Sequence, residues 1–433
     1  MTRCKREFKN PKPATEDRGR LLQKVFHMNY TLLMELVSQI GCGIAMGGAE
    51  TYRVEESVNR ILGAYGVESR VYSVPNSLII TIHIPGQAPM TQLCRMERKG
   101  NDLDAVEQFS NLGRKICTQK PDLETAMQWL EETQTKRKKY KFPIVLAGYI
   151  LVAWGFSIFF GGSLMDSLCA AACGLLLGIA EHFMGKLQSN VFFQKIAAAF
   201  LMAVLAYGIS AFGVIPNVDA SVIGTLMLLV PGLLFTNAMR DIIFGDTNSG
   251  VSRVVETLLI AVAIALGTGA AWNLVGALWT LPQQTQTISH SPWITCLVSF
   301  VACAGFVIVF NIHGKGKWLC ALGGAITWGA YCIALQLGCT PLWCCFIATC
   351  VAAIYSEAMA RVRKYPAISY LVISLLPLIP GAGVYYTAQQ AIRGDMPLAA
   401  EYGMNTLATA GVMAAGILVV STAVRMWTTH KKK

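Results

Sequence analysis

The sequence has little charge for its size. Only 14% of its 433 residues are Asp, Glu, Lys or Arg, whereas about a quarter are charged in soluble globular proteins. It also lacks the short motifs of several enzyme classes: the nucleotide-binding loop GxxxxGKS or GxxxxGKT, the nucleophile motif GxSxG and the zinc motif HExxH. These absences exclude a chain that is soluble over most of its length and lend no support to an enzyme, and we expect neither a cofactor nor a bound metal.

Cysteine is present at 14 positions, but without CxxC pairs or a metal-type spacing with histidine. Ten of these residues fall in apolar segments, where a thiol packs as a small hydrophobic group. For these ten we predict packing in preference to disulfide or metal chemistry: Cys169, Cys173, Cys296, Cys303, Cys320, Cys332, Cys339, Cys344, Cys345 and Cys350.

The charges that are present divide the chain near residue 141. Residues 1–141 contain 22 of the 36 Lys and Arg and 16 of the 25 Asp and Glu. The first 20 residues are polar and basic, with no apolar stretch and no small-residue cleavage site, so we predict no signal peptide and a cytoplasmic N-terminus.

The segment 1–141 is expected to be a small α+β domain. Apolar residues at helical spacing before and after Gly47 and Gly48 predict two helices with a glycine joint. The β-branched stretches SRVYSV and SLIITIHI predict two strands, MTQLCRME a weaker third, and LDAVEQFSNLGRKIC and DLETAMQWLEET two further helices. The segment ends in KRKKYK (136–141), which precedes an apolar stretch and predicts a cytoplasmic juxtamembrane anchor.

Ten later segments are long enough to cross about 30 Å of hydrocarbon. They are 142–160, 164–185, 192–213, 218–240, 254–279, 293–312, 318–338, 340–360, 367–391 and 402–427. With the anchor inside, one basic residue, Arg393, lies outside, and the others lie inside: Lys186, Lys195, Arg240, Arg253, Lys315, Lys317, Arg361, Arg363, Lys364, Arg425 and Lys431–Lys433. This distribution predicts a multi-pass membrane protein with both termini cytoplasmic, and it explains the net charge of +11 without a nucleic-acid partner.

Two of the ten segments are interrupted by Pro-Gly, and the two interruptions belong to related stretches. Shifting the chain by 149 positions places LVPGLLFTNAMRDIIFGD (229–246) on LIPGAGVYYTAQQAIRGD (378–395), so that Pro231 matches Pro380. Further identities at the same shift include Gly232/Gly381, Ile243/Ile392, Gly245/Gly394, Asp246/Asp395, Thr257/Thr406, Leu258/Leu407, Ala261/Ala410, Ala265/Ala414 and Gly267/Gly416.

This match predicts an internal repeat of five spans, 142–279 and 293–433. Because five is odd, the second copy enters the membrane from the opposite side. The expected fold class is therefore an α-helical polytopic membrane protein made of two inverted five-helix repeats, with a small α+β domain at its N-terminus. Many secondary transporters have inverted repeats.

The Pro-Gly pairs have two explanations. Proline is common in membrane helices and can produce a kink without binding anything. Alternatively, a broken helix in each repeat brings half-helix ends together near the membrane midplane, where N-termini attract a carboxylate and free carbonyls attract an ammonium group or a cation. Their recurrence in both repeats favours the second explanation, and a zwitterionic amino acid suits such ends.

Three stretches resemble the threonine/serine exporter family of bacterial membrane proteins: GGAETYRVEESVNRI (47–61), VPGLLFTNAMRDIIFGDTNSGVSRVVETLL (230–259) and IPGAGVYYTAQQAIRGD (379–395). The resemblance covers nearly the whole chain, because the family also has a cytosolic N-terminal region followed by ten spans in two related halves. It implies export of threonine and serine across the bacterial cell membrane, driven by the proton gradient, as in an antiporter. Relatives with the halves on separate chains are linked to succinate export, and the motifs do not distinguish these substrates.

Polar residues in or near the spans are candidates for a substrate or ion pathway. The candidate site comprises Pro231, Gly232, Asn237, Asp241, Asp246, Glu256, Pro380, Gly381, Asp395 and Asn405. Glu256 is favoured because the same shift places it against Asn405, whereas Asp246 and Asp395 also suit turns that follow glycine. Asp166, Glu181, His182, Asn273 and Glu357 are further polar positions, several of them near span ends where hydration explains them.

Two other functions stay open. One is export of a dicarboxylate such as succinate, and the other is a membrane sensor or scaffold whose N-terminal domain binds a partner. Ten spans with an inverted repeat exceed what an anchor requires. The expected partners are the lipid bilayer, a small-molecule substrate and a coupling proton, while sodium and the oligomeric state are left undetermined.

Overall fold

The computed structural model describes residues 28–96, 100, 102–187, 190–280, 287–314, 316–363 and 367–430. Some sequence predictions lie outside these ranges: the basic segment 1–20, part of the loop between the two repeats (281–286), and Lys315, Lys364 and Lys431–Lys433.

The N-terminal region, residues 28–141, contains four helices and a three-stranded sheet. Its elements are α1 (Tyr30–Met46), α2 (Thr51–Ala64), β1 (Glu68–Val74), β2 (Ser77–His83), β3 (Met90–Arg95), α3 (Leu103–Gln119) and α4 (Leu123–Thr135). The turn between α1 and α2 contains Gly48 at φ 97°, a left-handed conformation that favours glycine. The strands pair antiparallel in the order β1-β2-β3.

One face of this sheet packs against the helices. Leu78, Ile80 and Ile82 alternate along β2 and are fully buried, in a core that also contains Ile40 of α1 and Val58 of α2. The apolar residues that alternate along β2 and those at helical spacing in α1 and α2 therefore pack in one cluster.

The cysteines fall into two groups. Cys42 of α1 and Cys94 of β3 form a disulfide within the N-terminal region. All ten cysteines for which packing was predicted are free thiols. Six of them are buried: Cys169, Cys173, Cys303, Cys320, Cys344 and Cys345.

The rest of the described chain is helical. Its helices are α5 (Phe142–Phe159), α6 (Leu164–Lys186), α7 (Val191–Ala211), α8 (Val218–Leu226), α9 (Gly232–Phe244), α10 (Thr247–Leu278), α11 (Pro292–Val309), α12 (Lys317–Gln336), α13 (Pro341–Arg363), α14 (Ala367–Leu375), α15 (Gly381–Arg393) and α16 (Met396–His430). Within the described ranges, eight of these are long and apolar enough to cross a bilayer: α5, α6, α7, α10, α11, α12, α13 and α16. The chain is therefore a multi-pass membrane protein.

The other two predicted spans, 218–240 and 367–391, are each divided into two helices. The first consists of α8 and α9, and the second of α14 and α15. The members of each pair are 9 and 13 residues long, so no single helix in either pair has the length of a span.

Small residues bring the long helices close together. A Cβ added to Gly148 of α5 would lie 3.0 Å from the Gly305 carbonyl oxygen of α11, and a Cβ added to Gly305 would lie 2.8 Å from the Gly148 carbonyl oxygen. Glycine thus permits the near contact of two backbones that is typical of helix packing in membranes.

Asp166 has a structural role at the start of α6. Its carboxylate accepts the Ser163 N–H at 2.7 Å and the Asn217 N–H at 2.9 Å, and it is fully buried. These bonds satisfy backbone donors at the α6 terminus and in the loop before α8. Hydrogen bonding to backbone N–H groups, rather than hydration at a span end, therefore explains why this carboxylate occurs here.

Candidate functional site

Proline ends the first helix of each broken pair. Pro231 and Pro380 are the N-cap residues of α9 and α15, with φ, ψ of −81°, 44° and −76°, 49°. Proline has no N–H group, and its ring clashes with the preceding turn, so Pro231 prevents α8 from continuing into α9, and Pro377 with Pro380 prevents α14 from continuing into α15. At each break the carbonyls that end the first helix accept N–H groups of the turn, as Leu226 and Leu375 do, whereas the first N–H groups of the second helix need polar partners.

The two breaks touch each other. A Cβ added to Gly381, the first residue of α15, would lie 3.3 Å from both Met227 Sδ and Val230 Cγ1, which belong to the segment between α8 and α9. Nearby, a small apolar cluster joins Phe235 of α9, Ala261 of α10, Val384 of α15 and Ala410 of α16. Positions 235 and 384, like 261 and 410, are 149 apart, so the cluster contains two matched pairs.

A cavity of about 310 Å³ opens beside the breaks. Its lining includes four of the predicted site residues, Pro231, Asn237, Glu256 and Gly381. Ligand sites in proteins commonly begin at about this volume, and such a site suits a small molecule. The cavity is therefore the place where the sequence candidates and a ligand-sized space coincide.

The charged and polar candidates differ in their exposure. Glu256 is an exposed residue on α10 that lines the cavity, and Asn237 on α9 is half-buried. Asn405, the repeat partner of Glu256, is exposed on α16 and is not part of the cavity lining. The two matched positions therefore have different surroundings.

The remaining candidates lie at helix ends. Gly232 is the first residue of α9, and Pro380 directly precedes Gly381. Asp246 and Asp395 follow Gly245 and Gly394, which end α9 and α15 at φ 96° and 85°. Asp395 Oδ1 accepts the Leu398 N–H at 3.2 Å in the first turn of α16. For Asp395 this geometry fits a turn and capping role.

The N-terminal region forms a further wall of the cavity. Thr51 and Val54 of α2 and Ser73–Pro75 at the end of β1 line it, opposite the Pro231 and Gly381 breaks. The sequence analysis treated this region as a separate domain and did not place it at the site.

Two buried ion pairs lie where the N-terminal region meets α9 and α10. Glu50 Oε1 is 2.7 Å from Arg240 Nη1, and Asp241 Oδ2 is 3.2 Å from Arg253 Nε. All four side chains are only 5 to 8% exposed. Arg253 Nη2 also donates to Thr51 Oγ1 at 3.3 Å, which connects the second pair to the N-terminal region.

The arginines determine the charge state of Glu50. Burial alone would raise its pKa, but the positive charges of Arg240, Arg53 and Arg253 outweigh burial and hold the pKa below the ordinary value. Glu55, which accepts the Ser73 N–H at 2.8 Å, behaves differently, because burial raises its pKa despite that hydrogen bond. Glu50 is therefore held as a carboxylate within the interface.

Two family models match the chain. The model described as "Putative threonine/serine exporter" matches residues 35–275, which is more than half of the chain. The chain belongs to the threonine/serine exporter family. A second model, described as "Threonine/Serine exporter", matches residues 295–423, so the assignment extends over both parts of the helical region.

Two curated proteins are similar along most of their length. One is the "Threonine/serine exporter" of Corynebacterium glutamicum, 22% identical over 407 residues, which cover 91% of this chain and 82% of that protein. The other is the "Probable threonine/serine exporter" of Mycobacterium tuberculosis, 20% identical over 431 residues, which cover 95% of this chain and 80% of that protein. No solved structure matches the chain.

Membership of an exporter family fits a site without metal ligands. Among the described residues, no group of three or more His, Cys, Asp or Glu side chains is arranged to hold a metal ion. The cavity offers helix ends, the exposed Glu256 carboxylate, an amide, hydroxyl groups and two cationic residues, Lys195 and Arg253, which suit reversible binding of a small polar solute.

Proposed function

We propose that this protein is a secondary active exporter of small polar amino acids, threonine and serine, in a bacterial cell membrane. The observation that carries the proposal is the contact between the two Pro-Gly breaks beside one ligand-sized cavity. Family membership and the names of both curated relatives support the choice of substrate.

Recognition of the substrate rests on the helix ends. The N-termini of α9 and α15 both begin at the breaks, and their partial positive charge suits the α-carboxylate of an amino acid. The last carbonyls of α8 and α14 accept N–H groups of the turns that follow, as the Leu226 carbonyl does from Leu229 and Val230. The Glu256 carboxylate is therefore the group that suits the ammonium group. The side-chain hydroxyl of threonine or serine would find both a donor and an acceptor at the Asn237 amide.

We propose that the helices form ten spans in two inverted repeats, with each broken pair counted as one span. Five pairs of helices begin 149 or 150 residues apart: α5 and α11, α7 and α13, α8 and α14, α9 and α15, and α10 and α16. Packing between the halves is reciprocal, because α9 packs on α16 and α15 packs on α10. Glycines at matched positions also pack against matched helices. A Cβ added to Gly267 would press on α7, and a Cβ added to Gly416, 149 positions later, would press on α13.

Contacts between loops support the proposed sidedness. The Ile288 N–H donates to the Gly161 carbonyl at 2.8 Å, which joins two loops expected outside. At the other end, the Leu103 N–H of the N-terminal region donates to the Phe310 carbonyl at 3.0 Å, next to a loop expected inside. The N-terminal region would then lie in the cytoplasm as a domain of residues 1–141, with both termini on that side.

Proton coupling is assigned to Glu256. It is the one acidic residue in the described lining of the cavity, and a carboxylate there can bind and release a proton as it becomes accessible to each side. Substrate and proton would then compete for, or share, the same space.

The test is flux in proteoliposomes that contain the purified full-length protein. Radiolabelled threonine, serine and succinate are each offered with and without an imposed pH gradient. Gradient-dependent flux of threonine and serine, with little flux of succinate, is the expected result. Flux of succinate alone would establish dicarboxylate export, and no flux of any solute, together with capture of a protein by the N-terminal region, would favour a sensor or scaffold.

A further inference from the structure

The cavity is built by two parts of the chain that only a short link connects. The α9–α10 side contributes Pro231 and Glu256, and the N-terminal region contributes Thr51 and Ser73. Between α4 and α5 the link comprises only residues 136–141. If the cavity holds the transported solute, a solute coming from the cytoplasm meets the N-terminal region at its wall.

The link side of the N-terminal region is attached to the loop after α11. Tyr140 Oη donates to the Ile312 carbonyl at 2.9 Å, and Asn311 Nδ2 donates to Asp102 Oδ1 at 3.0 Å. These bonds lie next to the covalent connection, so movement of the N-terminal region would pivot there.

A second contact between the N-terminal region and the helices is made by charged residues of α9 and α10. Glu50 pairs with Arg240, Thr51 accepts from Arg253, and Arg253 pairs with Asp241. A charged side chain is stable when it is paired with an opposite charge or hydrated. A charge that is desolvated and unpaired raises the free energy of the protein. The contact is therefore favourable when closed with its charges paired, and it can open without a large cost only where water reaches the separated charges.

We propose that the N-terminal region is the cytoplasmic gate of the cavity and that the Glu50–Arg240 and Asp241–Arg253 pairs are its latch. This inference rests on the proposed function, because it takes the cavity as the transport path. It assigns the region a role in every transport cycle: the latch opens to admit a solute from the cytoplasm and closes behind it. A fixed structural wall would have no such role.

The first test cross-links the gate shut. Ser249 Oγ of α10 lies 3.5 Å from the Ser73 backbone carbonyl oxygen of the N-terminal region, so a Ser73→Cys, Ser249→Cys double variant introduces cysteines at two contacting residues across the interface. Oxidation should lower solute flux in proteoliposomes at least tenfold, and reduction should restore the flux of the same sample. The wild type and each single variant, oxidised in parallel, control for the native cysteines. Unchanged flux in the cross-linked protein would overturn the gate.

The second test does not depend on transport. A cysteine at Asn237, within the cavity, is labelled with a membrane-impermeant maleimide in inside-out vesicles, where the N-terminal region faces the reagent. Adding Glu50→Gln should raise the labelling rate at least tenfold, because it removes one half of the latch. The control is Glu56→Gln, which removes a carboxylate from an exposed pair with Arg60 in the same helix.

The outcomes separate the gate from the proposed function. Equal labelling rates with Glu50→Gln and Glu56→Gln would overturn the gate whatever the protein transports. If the wild type moves none of the solutes but labelling still rises with Glu50→Gln alone, the proposed substrate is wrong while the region still controls access to the cavity.

Discussion

Glu50 Oε1 of the N-terminal region lies 2.7 Å from Arg240 Nη1 of α9, and 190 positions of the chain separate the two residues. This pair joins the motif GGAETYR to the helix that begins at the first Pro-Gly break. The pairing gives both charged stretches a reason to occur in one protein. Glu50 in the N-terminal motif supplies the carboxylate that buried Arg240 requires, and Arg240 in α9 supplies the positive charge that buried Glu50 requires.

Removing one partner of this pair should destabilise the docked N-terminal region. Glu50→Gln leaves Arg240 buried without its carboxylate, which typically costs about 3–5 kcal/mol. We expect a lower midpoint for thermal unfolding and faster proteolysis in the 136–141 link, both measured on protein in detergent. Glu56→Gln, on the exposed face of α2, should change neither by much, since exposed pairs contribute at most about 1 kcal/mol. Equal effects of the two substitutions would contradict the buried pairing.

The same pair gives a pH dependence with a definite sign. The folded pKa of Glu50 is below the ordinary value of 4.5, so its contribution to stability is fully present above pH 4.5 and is lost as the pH falls through the folded pKa. The difference in unfolding midpoint between wild type and Glu50→Gln should therefore be constant above about pH 6 and shrink below pH 4.5. A difference that grows on acidification would contradict the assignment.

The inverted repeat predicts that matched loops lie on opposite faces of the membrane. Thr247 and Met396 are the first residues of α10 and α16, are 149 positions apart, and are both exposed. Single cysteines at these positions, in a background without accessible thiols, should react with an impermeant reagent from opposite sides, Met396→Cys from outside. Labelling of both from the same side would contradict the inverted topology.

A neutral residue at Glu256 should separate binding from coupling. Glu256→Gln keeps the size of the side chain but removes the titrating group, so the thermal shift induced by substrate should persist while flux loses its dependence on the pH gradient. Asn405→Ala is the matched control, because Asn405 occupies the same repeat position but lies outside the cavity lining. Unaltered gradient dependence in Glu256→Gln would assign coupling to another group.

The sequence predicted the positions of the breaks because proline acts locally. Pro231 and Pro380 stop their helices through their own ring and missing N–H, so no knowledge of distant contacts is needed. The strand patterns around Val71 and Ile80 were readable for a similar reason, since alternation along a strand reflects one buried face.

What the sequence could not predict depends on contacts between distant segments. The sequence does not show that two charged residues 190 positions apart will pair, so the Glu50–Arg240 contact and the wall formed by Thr51, Val54 and Ser73–Pro75 were missed. The shift of 149 also suggested that Asn405 would share the site of Glu256. In the proposed inverted repeat the two positions lie towards opposite faces of the membrane, and of the two residues Glu256 lines the cavity while Asn405 does not.

The central claim is that the two breaks together form the transport site, and flux through proteins with restored helices tests it most directly. Two variants are compared in matched proteoliposomes, Pro231→Ala with Gly232→Ala and Pro380→Ala with Gly381→Ala, the second also carrying Pro377→Ala because Pro377 lies in the same break. Alanine favours a continuous helix and adds only one methyl group at Gly381, where larger side chains would press on Met227 and Val230. Pro292→Ala, at the exposed start of α11, controls for loss of a proline outside the breaks. We predict that both variants with restored helices insert into the membrane but transport threonine and serine at least tenfold more slowly than Pro292→Ala, and wild-type flux in either of them would show that the breaks are ordinary kinks.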